Sequence, residues 1–249
     1  MVEGYPFSVN CIQEDLKNVF ANFRTWLNAD AAVLLDRYLP VFGVDPVTPP
    51  VFVLLSARLA DGAGNALLPA LFMTIIYLAM ALHTLPRQIQ GRDRQLVILE
   101  GDYLYAHLSF ILCQTNCLHL QERFSRLIRG MNEGSVMRRF YRQEGRPQAG
   151  DGLVEILGRQ YGLFFAECCE LGGLFAGLRQ EETDLLRRFG QEFGVAYGCK
   201  EAGLEVDFYA PLLERALDCL NSLEGKEDLC TFARELVAAT SGNRFLAAG

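Results

Sequence analysis

Two carboxylates four residues apart, Glu201 and Glu205, face the same way on a helix, which is the geometry two acids need to share a hard cation such as Mg²⁺. The plainer reading is a solvated acidic helix end, with Lys200 and Asp207 also at the surface. A softer donor set is Cys113-x3-Cys117-x-His119, two thiols one helical turn apart beside an imidazole, as zinc would require. Neither a fourth ligand nor a CxxC knuckle accompanies it, and buried cysteines are common small core residues. Cys168 and Cys169 are consecutive, point to different sides of a helix and read as packing. His83 and His107 each sit in an apolar helix with no nucleophile or acid tied to them by spacing, so both read as hydrogen-bonded core histidines.

Helices must position all of these groups. Apolar residues recur at helical spacing from end to end, while alternating β-branched runs closed by tight Gly turns do not occur. The pattern predicts an all-α chain with helices near 12–28, 30–42, 51–60, 66–86, 93–117, 119–144, 150–178, 181–201, 207–223 and 226–240. Breakers fall between them at Pro46, Pro49 and Pro50, Asp61-Gly62, Gly91, Gly145 with Pro147, and Gly225. No linker, charge run or helical repeat divides the 249 residues, which predicts a single domain. Two stretches are apolar nearly all round, Ala66 to Leu82 and Leu153 to Leu178, and belong inside a large bundle. The first is seventeen residues without a charge, short of the about 20 a membrane span needs, and Pro69 suits the first turn of a core helix.

Composition narrows the function classes. Thirty acidic against 23 basic side chains give a formal charge of −7, which argues against nucleic acid, since phosphate affinity comes from clustered Lys and Arg. Arg138-Arg139 and Arg187-Arg188 are short and read as solvated helix faces. Eight cysteines with no secretory leader ahead of them predict reduced thiols in a cytoplasmic chain.

The stretch Gln95 to Leu112, QLVILEGDYLYAHLSFIL, with Gly101, Asp102 and Tyr103 at its centre, resembles the LAGDYL helix of the trans-isoprenyl diphosphate synthases. Within that superfamily it is most similar to component I, the small subunit, of bacterial heptaprenyl diphosphate synthase. Other stretches match in order. Ala66 to His83 resembles the helix that carries the first aspartate-rich motif, and Glu155 to Gly177 the KTAxLF…ELGxxxAG helix. Phe189 to Tyr197 resembles the FGxxxGxAFQ run before the second aspartate motif, and Leu213 to Leu236 the terminal helix pair. The resemblance covers about 180 residues and implies an isoprenoid-synthase-type bundle of about ten helices around a central apolar cavity.

The departures from that pattern bear on function. Catalytic members hold three Mg²⁺ ions between two DDxxD motifs. Here the first motif is replaced by Thr84-Leu85-Pro86-Arg87-Gln88, and the second reads Glu201-Ala202-Gly203-Leu204-Glu205. The GKxxRP segment becomes Val44-Asp45-Pro46-Val47-Thr48-Pro49-Pro50, and the KT pair becomes Gln160-Tyr161. Departure of diphosphate from an allylic carbon builds negative charge that metal ions neutralise. Losing one preorganised donor commonly costs about 3 kcal/mol, and losing the whole centre costs more.

The resemblance therefore implies a non-catalytic subunit of a heterodimeric polyprenyl diphosphate synthase in menaquinone side-chain biosynthesis. It binds no cofactor alone, Mg²⁺ sits on an aspartate-rich catalytic partner, and the chain meets membranes only through its product. By resemblance, the interface runs from Gln95 to Cys117 and on to Tyr141. Phe72, Ile76, Tyr77 and Met80 fall where the superfamily lines its prenyl tunnel, with core packing as the equal alternative. Two other readings stay open: a stand-alone prenyl transferase or terpene synthase using Glu201 and Glu205, and a helical apolar-ligand or membrane-surface protein.

Overall fold

The computed structural model describes residues 9–27, 45–60, 63–84, 91–145 and 150–238. Over these residues the chain is helical and no strand occurs. Helix α1 spans Gln13–Trp26, α2 Thr48–Ala57, α3 Leu67–Thr84, α4 Gly91–Gln114 and α5 Gln121–Gln143. Helix α6 spans Asp151–Leu157 and runs through a π-helical turn, Gly158–Gly162, into α7, Leu163–Ala176. Then follow α8, Gln180–Glu201, α9, Val206–Asp218, and α10, Glu227–Ala238. The helix expected at 30–42 lies outside the described residues, as do the breakers Asp61-Gly62 and Pro147.

Pro49 and Pro50 do not separate helices as the sequence reading expects. They occupy the first turn of α2, where a missing N–H leaves no intrahelical bond unmade. Asp45 prepares that entry: its Oδ1 accepts the Val47 N–H at 2.9 Å and its Oδ2 the Thr48 hydroxyl at 2.5 Å.

Helix α3 is long and apolar enough to cross a membrane, and so is the stretch Asp93–Gln114 of α4. Their surroundings differ. In α3, 78% of the apolar window is buried inside the fold, with Pro69 in its first turn, as a core helix requires. In α4 the figure is 33%, because this helix packs along α3 and leaves its other side bare.

Helices α7 and α8 form the closest pair. A Cβ on Gly190 would lie 2.3 Å from the Phe165 carbonyl oxygen, and one on Gly194 would lie 2.5 Å from that of Tyr161. Only hydrogen at these positions lets the two backbones touch. Aromatic rings fill the interior that this pair shares with α2 and α10: Phe52 lies 4.7 Å from Phe193, 4.9 Å from Phe165 and 5.3 Å from Phe232 between centroids. These offset and edge-on distances are the favourable ones for aromatic pairs. Phe72, Ile76, Tyr77 and Met80 are all buried on α3, with Phe72 edge-on to Phe124 of α5 and Tyr77 against Phe164 of α7.

Candidate functional site

Helix α8 stops at Glu201 and Gly203 turns the chain at φ +79°, so Glu205 becomes the residue that starts α9. The two acids therefore do not share a helical face. Glu205 is exposed, whereas Glu201 is buried at 8% exposure. Lys200, expected at the surface, is also buried, and its ammonium donates to the carbonyl oxygen of Leu236 at the end of α10 at 2.7 Å. Ala202 caps α8 through its backbone N–H, which donates to Gly198 at 2.9 Å.

Arg138 corrects the sequence reading most sharply. Instead of solvating the face of α5, it is 1% exposed and tops the fully buried side chains by volume. It continues an inward ridge of Phe124, Leu127, Met131 and Gly134, spaced three and four residues apart. Its guanidinium donates to Gln160 Oε1 at 3.3 Å, and the Gln160 amide donates to Ser135 Oγ at 3.0 Å. Both Gln160 and Tyr161 reach inward from the π-helical turn, where the extra residue per turn re-aims side chains that an α-helix would carry elsewhere.

Around Glu201 three phenols close the space: Tyr77 from α3, Tyr161 from the π turn and Tyr197 from α8, all buried. Tyr161 lies edge-on to Tyr197 at 5.9 Å. Burial pushes the Glu201 carboxyl up to about 7, against the opposing pull of Lys200 and then Arg138. Burial also raises all three phenols. Tyr77 is raised further by Asp45 and Glu201, Tyr197 by Glu201, and at Tyr161 the Arg138 charge opposes the rise. The phenols are therefore neutral donors at physiological pH. Lys200 is shifted down by its burial, with Glu201 pulling the other way.

The remaining candidates fall outside this cluster. Thr84 bonds back to the Ala81 carbonyl oxygen at 2.9 Å, while Leu85 and Gln88 lie outside the described residues. His83 holds α3 to α4: Nδ1 faces Ala79 O at 2.7 Å, Nε2 faces Asp102 Oδ1 at 2.9 Å, and its ring stacks on Tyr105. A Cβ on Gly101 would lie 2.6 Å from that imidazole, which gives the Gly-Asp pair of the motif helix a physical reason. Tyr103 stacks on His107, whose Nε2–H donates to Trp26 O at 2.5 Å.

The Cys113, Cys117 and His119 set does not form. Helix α4 ends at Gln114 and Asn116 adopts a left-handed φ of 58°, which breaks the one-turn spacing; Cys113 stays exposed and Cys117 is buried. Cys168 and Cys169 are buried thiols whose burial holds them well above the usual thiol range, as packing residues. Arg187 is not a plain solvated face either: it bonds Glu170 at 2.5 Å, and Arg123 joins both Glu170 and Glu167, so α5, α7 and α8 are clamped by charge.

Residues 87–201 match the sequence model of the polyprenyl synthetase family. No curated protein matches the chain by sequence. Among solved structures, a decaprenyl diphosphate synthase from Rhodobacter capsulatus superposes with a TM-score of 0.75 at 16% identity, covering 92% of this chain and 96% of that one. The chain has the isoprenoid synthase fold. A heptaprenyl diphosphate synthase from Staphylococcus aureus gives 0.70 at 14% identity over 92% of this chain and 98% of that one. A deletion mutant of the heterotetrameric geranyl pyrophosphate synthase of mint gives 0.65 at 19% identity over 90% and 98%.

Such a fold in its catalytic form holds a divalent-metal centre, and the described residues do not fit one. Among the described residues no group of three His, Cys, Asp or Glu side chains could hold an ion, and the sequence of 85–90 carries no carboxylate. The acid that remains, Glu201, faces a guanidinium and an ammonium.

Proposed function

We propose that this chain is a non-catalytic subunit of a polyprenyl diphosphate synthase, working with an aspartate-rich catalytic partner that carries the Mg²⁺. The observation that carries this reading is the cluster at the end of α8, where Arg138, Lys200 and three phenols surround the single buried acid of the second motif. Ionisation of an allylic diphosphate needs concentrated positive charge on the leaving group, and here Lys200 is bonded to the Leu236 carbonyl oxygen and Arg138 to Gln160, with Glu201 within electrostatic reach of both.

The outer face of α4 supports a partner. Leu99, Ala106 and Cys113 recur every seven residues and are all exposed, with Leu99 at 61% and Phe110, beside the same line, at 50%. A seven-residue apolar stripe on a bare helix is the pattern of a helix-pairing seam. Ala106 at its middle gives room for close approach. The heterotetrameric mint enzyme is an example of a synthase of this fold built from more than one chain. On this reading the partner's helix pairs with α4, the subunit sustains activity and influences product length, and a prenyl chain passes through the partner's site.

The test is incorporation of labelled isopentenyl diphosphate with Mg²⁺ by this chain alone, by the catalytic subunit alone and by the two together. Negligible turnover alone and restored turnover in the mixture is the expected result. Strong turnover by this chain alone overturns the proposal.

A further inference from the structure

The apolar line on the outer face of α4 is not free of charge. Asp102 lies on it, three residues after Leu99 and four before Ala106, and its side chain is 64% exposed. A helix laid over Leu99, Ala106 and Phe110 would take that carboxylate out of water, which is costly unless a cation or donors answer it. The answer comes from behind. His83, near the end of α3, places Nε2 2.9 Å from Asp102 Oδ1 and Nδ1 2.7 Å from the Ala79 carbonyl oxygen. A carbonyl and a carboxylate only accept, so both contacts are hydrogen bonds only when both ring nitrogens carry hydrogen. The geometry is that of an imidazolium, an opposite charge seated against the acid.

The surroundings hold the ring there. Its face stacks on Tyr105 at 5.4 Å between centroids, and a Cβ on Gly101 would meet the ring at 2.6 Å, so glycine is what admits it. Asp102 and Tyr105, both on α4, are the titratable groups that face it. Burial holds the Tyr105 phenol well above its usual range, with Asp102 adding to the rise, so the tyrosine stays neutral. The other helices packed on α3, namely α1, α2 and α7, bring no titratable side chain into bonding contact with the ring among the described residues.

We infer that the His83–Asp102 pair neutralises the partner seam: His83, doubly protonated, masks Asp102 so that an uncharged apolar helix of the catalytic subunit can cover α4. Once the ring gives up a proton, Asp102 meets the partner uncompensated and association weakens. The partner should therefore set apolar side chains and a neutral hydrogen-bond donor against Asp102, with no lysine or arginine required. His83 acts through Asp102, as a positioning residue. The inference rests on the proposed pairing along α4 and names its regulation by pH.

The experiment measures association of the full chain with the aspartate-rich catalytic subunit by titration calorimetry, across about pH 5 to 8, where histidine exchanges its proton. Wild type is compared with His83→Gln, Asp102→Asn and the double variant. Wild-type affinity should fall about tenfold as pH rises. His83→Gln keeps a donor toward Asp102 without the charge, and should bind about tenfold more weakly than wild type at the acidic end, with a flat profile. Asp102→Asn should also be flat and hold the affinity that wild type has at the acidic end. The double variant should be rescued to the level of Asp102→Asn.

If His83→Gln does not fold, the flat profile and retained affinity of Asp102→Asn decide. A wild-type profile as flat as that of Asp102→Asn, or a His83→Gln with wild-type affinity and slope, overturns the inference. In either case association persists and the subunit reading stands. No association by wild type at any pH overturns both.

Discussion

The cluster beneath α8 and the outer face of α4 are opposite kinds of surface in one fold. In the first, charges, phenols and an amide from five segments are turned inward, where Arg138 bonds Gln160, Gln160 bonds Ser135 and Lys200 bonds the Leu236 carbonyl. In the second, only 33% of the apolar window of a long helix is buried, and it presents Leu99, Ala106, Phe110 and Cys113 outward. One region turns its polar groups inward, with the Tyr161 hydroxyl left without a hydrogen-bond partner, and the other leaves apolar side chains in the open. The two are joined through α3, whose Tyr77 enters the cluster and whose His83 bonds α4. Together they set a largely inward-facing polar cluster against an apolar face that a neighbour would cover.

The strongest challenge to the inward region is steric. Gly194→Leu should cost more than about 3 kcal/mol, since its side chain would enter the backbone of Tyr161 and push the π turn away from α8. Denaturant unfolding should show the loss, and a wild-type midpoint would refute the packing.

Next in size is a pH effect. The carboxyl of Glu201 binds its proton more tightly in the folded chain, at about 7, than in the unfolded one, near 4.5. Its contribution is therefore most favourable below about pH 4.5 and declines as pH rises to about 7, by about 3 kcal/mol in all. Subtracting the stability–pH curve of Glu201→Gln from that of wild type should isolate that slope; a flat difference would place Glu201 in water.

The smallest effect on the isolated chain belongs to the outer region. Leu99→Ser should change its stability by no more than about 0.5 kcal/mol yet weaken association with a catalytic subunit about tenfold or more, measured by titration calorimetry. A large stability loss with unchanged association would reverse the roles of the two regions.

The helices were readable because burial imposes a 3.6-residue period over long stretches, as in Ala66 to Leu82. What failed were inferences that assumed a helix goes on. Glu201 with Glu205, and Cys113 with Cys117, are paired by spacing only if α8 and α4 continue past Gly203 and Gln114, and neither does. Arg138-Arg139 reads as a solvated doublet, yet the ridge Phe124, Leu127, Met131, Gly134 points to which of the two faces inward. The inward aim of Gln160 and Tyr161 had no such signal, because a π turn shifts the register without marking the composition. The Gly190 and Gly194 spacing was visible in the motif, but the closeness of the backbones it permits becomes apparent only in three dimensions.

The stop at Glu201 also bears on whether a metal site could be built here. Since Gly203 bends the main chain away at once, grafting aspartates onto positions 202 and 205 would place one acid at the helix cap and the other on the far side of a turn. Building a magnesium cradle there would require a remodelled turn between α8 and α9 as well as new side chains. The path of the main chain at Gly203, as much as the side chains themselves, holds carboxylates at these positions apart.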